Sequence, residues 1–207
     1  MKEVVDGVEA RFDLAVLPVP EFKDDQERQE KYQRSMQIGM AYMEQGAKQD
    51  ALRKYVYAFR INPDLQDALF MVGILLIEMK DYESAVTVFN YLEELHPSDF
   101  RLQNNLGWIY ATAEDPRFRD GRKAEEYASK ALLYAPQDHH VWSTLAEARY
   151  VYGNYEAAAR AAQQALTLAQ AADKDEAELR SYQELLDKCD RALDYQKQLA
   201  ESMGEQK

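Results

Sequence analysis

Between residues 32 and 172 the apolar positions recur three and four apart, in runs broken by short polar stretches. That spacing gathers apolar side chains on one face of a helix, so the chain is predicted to consist of short amphipathic helices. Small residues punctuate the runs at fixed intervals. Gly39, Ala51, Tyr55, Ala58 and Pro63 are answered 34 residues on by Gly73, Ala85, Phe89, Leu92 and Pro97. A third copy reads Gly107, Ala124, Ala128, Ala131 and Pro136, with five extra residues between its helices. The fourth has Trp142, Leu145, Ala146, Ala158, Ala162 and Ala165, with Gln170 in the proline's place. A fixed period of this length predicts stacked supersecondary units rather than one spherical core.

The chemistry of the anchors fits that prediction. A small residue at Gly39, Gly73, Gly107 and Ala146 lets two helix backbones approach, and Tyr55 and Phe89 fill the space between helices. Each proline pushes the residue before it out of helical geometry and ends the unit. Copies two and four also carry matching turns, Lys80-Asp81-Tyr82-Glu83 and Gly153-Asn154-Tyr155-Glu156. On these residues the chain resembles tetratricopeptide-repeat proteins over residues 32–172. The resemblance implies an all-α, right-handed superhelix of antiparallel helix pairs, a TPR-type α-solenoid whose first helices line a concave groove. It implies protein binding and no chemistry.

The repeats are expected at about 32–65, 66–99, 100–138 and 139–172, within a domain spanning 24–172. Residues 1–23 are expected to form an extended apolar segment. There Phe12, Leu14 and Val16 alternate with other residues, and Pro18-Val19-Pro20 favours an extended path. Asp24 is placed to cap the first repeat helix. Residues 173–207 are expected to form a long C-terminal capping helix and a polar tail, with Asp173 or Asp175 as its N-cap. Leu179, Tyr182, Leu185, Leu186, Cys189, Leu193 and Leu199 supply its apolar stripe. From about Arg191 the helix outruns one repeat and is expected to project or to pair with another chain.

Charge narrows the function classes. A formal net charge of −12 and a pI near 4.8 have the wrong sign for general nucleic-acid binding or for an anionic membrane surface. The single cysteine, Cys189, allows no internal disulfide framework and reads as a small core residue. No stretch approaches the roughly 20 apolar residues that span a bilayer. The chain as given reads as cytoplasmic, although a signal or lipidation cysteine lost by trimming would change that.

No catalytic constellation is present: there is no Gly-rich phosphate loop and no nucleophile with a base, so no enzyme activity and no cofactor are expected. His139 and His140 are adjacent, about 100° apart on a helix, and are not expected to converge on one metal. His96 sits before Pro97 at the end of a repeat, an ordinary capping position. In the loop of repeat three, Arg117, Arg119 and Arg122 beside Phe118 form a candidate secondary basic spot for carboxylate or phosphate. The competing expectation is that they pair with Asp115, Asp120 and Glu125.

The candidate binding surface is the groove. A second stripe runs along each first helix, opposite its packing face: Met36, Met40 and Met43; Phe70, Ile74 and Ile77 with Met71 beside them; Asn105 and Trp108; and Tyr150. A helix apolar on two sides is normally buried on both, so the methionine-rich half needs a cover. The family's carboxylate clamp, which needs Lys and Asn, is not matched, because Met36 and Met40, or Phe70 and Ile74, stand there; only Asn105 is clamp-like. An apolar peptide or amphipathic helix from a partner protein is therefore expected, which makes the chain an adaptor or a chaperone-like module. Two alternatives stand beside it. Phe12, Leu14, Val16 and Leu17 are a candidate groove plug, and a second copy packed groove to groove would form a homodimeric scaffold.

Overall fold

The computed structural model describes residues 1–14, 16–19 and 21–204. The described residues are helical and turn, and they fall into two compact units, Met1–His96 and Pro97–Lys207. Pro20 and residues 205–207, including the end of the expected polar tail, lie outside the described residues. No described helix is long and apolar enough to cross a membrane.

The first unit holds α1 (Lys2–Arg11), α2 (Asp25–Glu44), α3 (Lys48–Ile61), α4 (Asp67–Glu78) and α5 (Tyr82–Leu95). Asp24 caps α2 by accepting from Glu27 N at 2.8 Å, which satisfies one orphan donor of the first turn. Helices α2 and α3 pack as one pair and α4 and α5 as the next. Tyr55 and Phe89 are completely buried between the helices of their pairs. A Cβ on Gly39 would lie 2.8 Å from the Tyr55 ring, and one on Gly73 would lie 2.6 Å from the Phe89 ring. Each glycine is thus the socket for an aromatic knob on the second helix.

The turns inside three of the four pairs share one feature. Gly46 and Gly153 adopt left-handed φ values of 71° and 88°, and Lys80, at the equivalent repeat position, has φ 63°. The left-handed step closes the first helix and starts the second within a few residues. Lysine tolerates that geometry less well than glycine.

Residues 1–23 differ from expectation. They begin with α1 rather than as an extended segment, because Val5 and Val8 are spaced to bury on one helical face, at 2% and 1% exposure. Helix α1 packs on α3 and α5. Arg60 pairs with Asp6 at 2.9 Å and Glu9 at 2.6 Å, and Arg11 pairs with Asp81. The chain then turns, and Leu14 is completely buried while Arg53 Nε donates to its carbonyl oxygen at 3.4 Å.

The second unit holds α6 (Phe100–Thr112), a 3₁₀ turn (Pro116–Phe118), α7 (Gly121–Tyr134), α8 (His139–Tyr152), α9 (Tyr155–Ala171) and α10 (Glu176–Gly204). Here small residues meet small residues: Ala128, Leu145, Ala146, Ala158 and Ala162 share one core cluster with Cys189. A Cβ on Gly107 would find Ala128 N at 3.2 Å, Thr144 Cγ2 at 3.2 Å and Ala124 O at 3.3 Å. Helices α6, α7 and α8 converge at that glycine. Asp175 caps α10, accepting from Glu178 N at 2.9 Å. Tyr182, Leu185 and Cys189 of α10 are buried against the last pair, and that burial raises the Cys189 thiol to about 11. Beyond Arg191 the helix carries exposed Tyr195, Leu199 and Met203.

Candidate functional site

In the first unit the stripe on α2 and α4 is only partly occupied by packing. Met36 rests against Tyr32, Ile61 and Ala68, joined by Val19 and Phe22 from the segment before α2. Met43 Sδ accepts the Tyr55 hydroxyl at 3.4 Å, which anchors that side chain. Phe70 meets Phe89 edge to face, with centroids 5.8 Å apart. Met71, Ile74 and Ile77 are half-buried, and Met40 is 55% exposed. Among the described residues α2 and α4 touch at most sparsely, whereas α6 and α8 of the second unit pack directly. Within this unit the row Met40, Met43, Phe70 and Ile74 is therefore held by its own helix pairs, and α2 and α4 do not seal it against each other.

The proposed plug residues are distributed otherwise. Leu14 is spent in packing, Phe12 and Val16 are half-buried, and Leu17 is 67% exposed. Helix α1, which carries the chain into them, lies on the second helices α3 and α5.

In the second unit the stripe is polar and largely engaged. Asn105 Nδ2 donates to Arg101 O at 2.7 Å, and Trp108 is 37% exposed. Tyr150 lies under Lys188, whose Nζ is 4.2 Å from the ring centroid, and Lys188 pairs with Glu147 at 2.6 Å. Helix α10 thus covers the distal part of α8. Nearer the start of α8, Asn105, Trp108, His140, Ser143, Glu178 and Tyr182 line a cavity of about 560 Å³. Asn104 Oδ1 is buried at its edge without a hydrogen-bond partner.

One expectation is overturned at this cavity. His139 and His140 do not diverge: their ring centroids are 4.2 Å apart. The Tyr182 hydroxyl lies 2.8 Å from His139 Nδ1 and 3.0 Å from His140 Nδ1, and Glu178 joins the group. A phenol has one hydrogen to give, so it donates to one ring and accepts from the other. The 100° between adjacent Cα–Cβ directions is undone because both imidazoles swing toward a shared partner on another helix. Burial holds the His139 imidazole below the usual histidine range, and burial next to Glu178 pushes the Tyr182 hydroxyl far up. At neutral pH both are uncharged. Glu178 and Tyr182 stand four residues apart, one turn of α10, and that spacing was the one available signal. Glu178 was not singled out, and the meeting with the two histidines could not be read from it.

The arginines of the repeat-three loop are engaged locally. Arg117 forms a two-pronged contact with Asp115, which lowers that carboxyl's pKa. Arg119 donates twice to Ala113 O, at 3.0 and 2.6 Å, and Arg122 pairs with Glu126 at 3.4 Å. Glu125, expected as an arginine partner, is taken instead by Arg149 at 2.9 Å. The basic side chains hold the loop in place.

No family model matches the chain, and no curated protein matches it in sequence. Solved structures do. MamA (residues 41 to the end) from Desulfovibrio magneticus RS-1 is 20% identical, with a TM-score of 0.57 over 80% of this chain and 97% of that one. PilW, a widely conserved type IV pilus biogenesis factor, matches at 15% identity and TM-score 0.58, over 77% of this chain and 78% of its own. YrrB, described as a TPR protein with an unusual peptide-binding site, matches at 15% identity and TM-score 0.54, over 70% and 71% of the two chains. The likeness establishes the fold: the chain is an all-α tetratricopeptide-repeat solenoid.

Proposed function

We propose that the chain is a protein-interaction module whose first unit takes an apolar segment of a partner, an extended peptide or one face of an amphipathic helix, along α2 and α4. The observation that carries this reading is the unsealed row on those helices, with Met40 more than half exposed between half-buried Met43, Phe70 and Ile74. Methionine adapts its shape to varied apolar ligands, so the row suits a partner with apolar side chains rather than one fixed motif. Burying one such side chain contributes roughly 1.5–3 kcal/mol before ordering costs. The peptide-binding site named for YrrB gives the same fold a precedent for this use. An adaptor or chaperone-like role follows from the ligand chemistry, because an apolar segment needs cover until it is delivered.

The test is capture of partners from lysate by the intact chain beside a Met40→Glu, Ile74→Glu double variant, with a photo-crosslinker placed at position 43. Crosslinks to a partner's apolar segment that vanish in a fully helical variant support the reading. Undiminished capture by the folded variant overturns it. Crosslinks from one copy of the chain to another would instead make the face a homodimer interface.

A further inference from the structure

A cluster independent of the apolar row gathers where the starts of α8 and α10 meet. We propose that His139, His140 and Glu178 form a binding site for a borderline divalent transition-metal ion, with Zn2+ as the type case. Glu178 Oε1 lies 3.5 Å from His139 Nδ1 and 3.8 Å from His140 Nε2. Donor atoms of all three residues lie within 4.8 Å of one another. Zinc bonds of about 2.0–2.2 Å place tetrahedral donors about 3.3 Å apart, so modest side-chain rotation closes the set. The His140 side chain is 59% exposed and opens on the cavity, which gives the ion both a path in and a free coordination position.

For the His140 ring the surroundings supply the outer partner that a metal-bound histidine needs. With the ion on His140 Nε2, its Nδ1–H donates to Tyr182 Oη, 3.0 Å away. The Tyr182 hydroxyl then turns its own hydrogen from His139 to Glu178 Oε1, at 3.4 Å, and frees the His139 Nδ1 lone pair. Asp138 Oδ1 caps α8 by accepting from His140 N and Val141 N, so the ligand set proposed is the two histidines and Glu178.

The same surroundings select the class of ion. Two helix N-termini point their positive ends at the cluster. Lys174 Nζ stands 3.9 Å from Glu178 Oε2. A hard cation held by charge alone, such as Mg2+ or Ca2+, is disfavoured there, while two imidazoles favour Zn2+, Ni2+ or Cu2+.

The experiment titrates ZnCl2 into the untagged full chain by calorimetry, with histidine ring resonances followed by NMR. A single site is expected, perturbing the His139 and His140 rings, with a melting temperature that rises with zinc. His140→Ala and Glu178→Gln each remove a direct ligand. Each is expected to weaken binding by at least the factor of about 10–100 that loss of an outer-shell partner costs. His96→Ala is expected to bind as the intact chain does, and MgCl2 to give no binding heat. Absence of zinc binding overturns the proposal, and so does zinc affinity unchanged in His140→Ala, whose exposed side chain can be lost without unfolding α8. Tyr182→Phe, which leaves all three ligands, is expected to retain the site with weakened affinity; abolished binding in that variant would reassign the cluster to tyrosine-centred packing.

Discussion

The two units solve one packing problem in opposite ways. In Met1–His96 the glycines Gly39 and Gly73 each receive a buried aromatic ring from the second helix. In Pro97–Lys207 the corresponding glycine, Gly107, meets the backbone of α7 and a methyl group of α8. A ring fills the socket by itself, and the first helices α2 and α4 touch only sparsely. Small residues fill it by letting helices close in, so α6 and α8 pack directly. The ring-packed unit keeps an apolar face unsealed; the alanine-packed unit keeps a polar cavity and is covered by α10. Side-chain size at one repeat position thus separates two kinds of surface within one fold.

The largest expected effect breaks the ring-packed solution outright. Phe89→Ala empties the Gly73 socket and removes the edge-to-face partner of Phe70. Its cost is expected at about 3–5 kcal/mol. Ala128→Gly, at the matching position of the second unit, is expected to cost only about 0.5–1 kcal/mol, mostly through backbone entropy. Amide hydrogen exchange reads each unit's helices separately. Equal loss of protection from the two substitutions would mean that the two solutions are not distinct.

The glycines sharpen the same contrast from the other side. Gly73→Ala drives a methyl to 2.6 Å from a fully buried ring, and overpacking of this kind costs about 1–3 kcal/mol. The better helix propensity of alanine, worth about 1 kcal/mol, offsets part of that. At Gly107 the contacts begin at 3.2 Å, so a shift of a few tenths of an ångström suffices. There the propensity gain is expected to cancel the strain, leaving Gly107→Ala within about 0.5 kcal/mol of the parent. A Gly107→Ala variant as unstable as Gly73→Ala would show the second unit to be the tighter of the two.

The repeat anchors were legible in the sequence because their chemistry is local. Gly39 with Tyr55 and Gly73 with Phe89 recur at one spacing, and Asp24 announces the helix it caps. For the last helix the sequence left Asp173 and Asp175 open, and the structure uses Asp175. Helix α1 was not legible. Its apolar positions are few: Val5 and Val8 find their cover only on the distant helices α3 and α5, and the partners of its charged side chains, Arg60 and Asp81, are as remote in sequence. The stripe on α2 and α4 could be read as apolar, but its exposure depends on how far apart two helices stand, which no single helix encodes. The histidine cluster was missed for a related reason: periodicity fixes where a side chain leaves its helix, not toward which partner the ring turns.

A smaller effect tests the shared turn. Lys80 occupies the left-handed position that glycine holds at Gly46 and Gly153. That conformation costs a side-chain-bearing residue roughly 1–2 kcal/mol, and glycine's greater entropy in the unfolded chain returns part of the cost. Lys80→Gly is expected to stabilise the first unit by about 0.5–1 kcal/mol, read as a raised denaturation midpoint with unchanged slope. Gly153→Ala should move the second unit the other way by a similar amount. Destabilisation by Lys80→Gly would mean that the lysine side chain contributes more than its backbone strain takes away.

The finest distinction lies in how α1 is held, since the second unit has no counterpart to it. Burial raises the Glu9 carboxyl above its ordinary value of 4.5, helped by Asp6 and opposed by Arg60. The folded state therefore holds a proton on Glu9 in a window where the unfolded chain has released it. Where the native state binds more protons, stability falls as pH rises, so Glu9 weakens the docking of α1 from about pH 4.5 up through its raised pKa. Glu9→Gln removes that contribution while leaving Asp6 to pair with Arg60. The variant is expected to gain on the parent between mildly acid and neutral pH, by no more than about 0.5 kcal/mol. The measurement is the difference in thermal midpoint between variant and parent across that range. A difference that shrinks toward neutrality would mean that the Arg60 ion pair, not burial, governs Glu9.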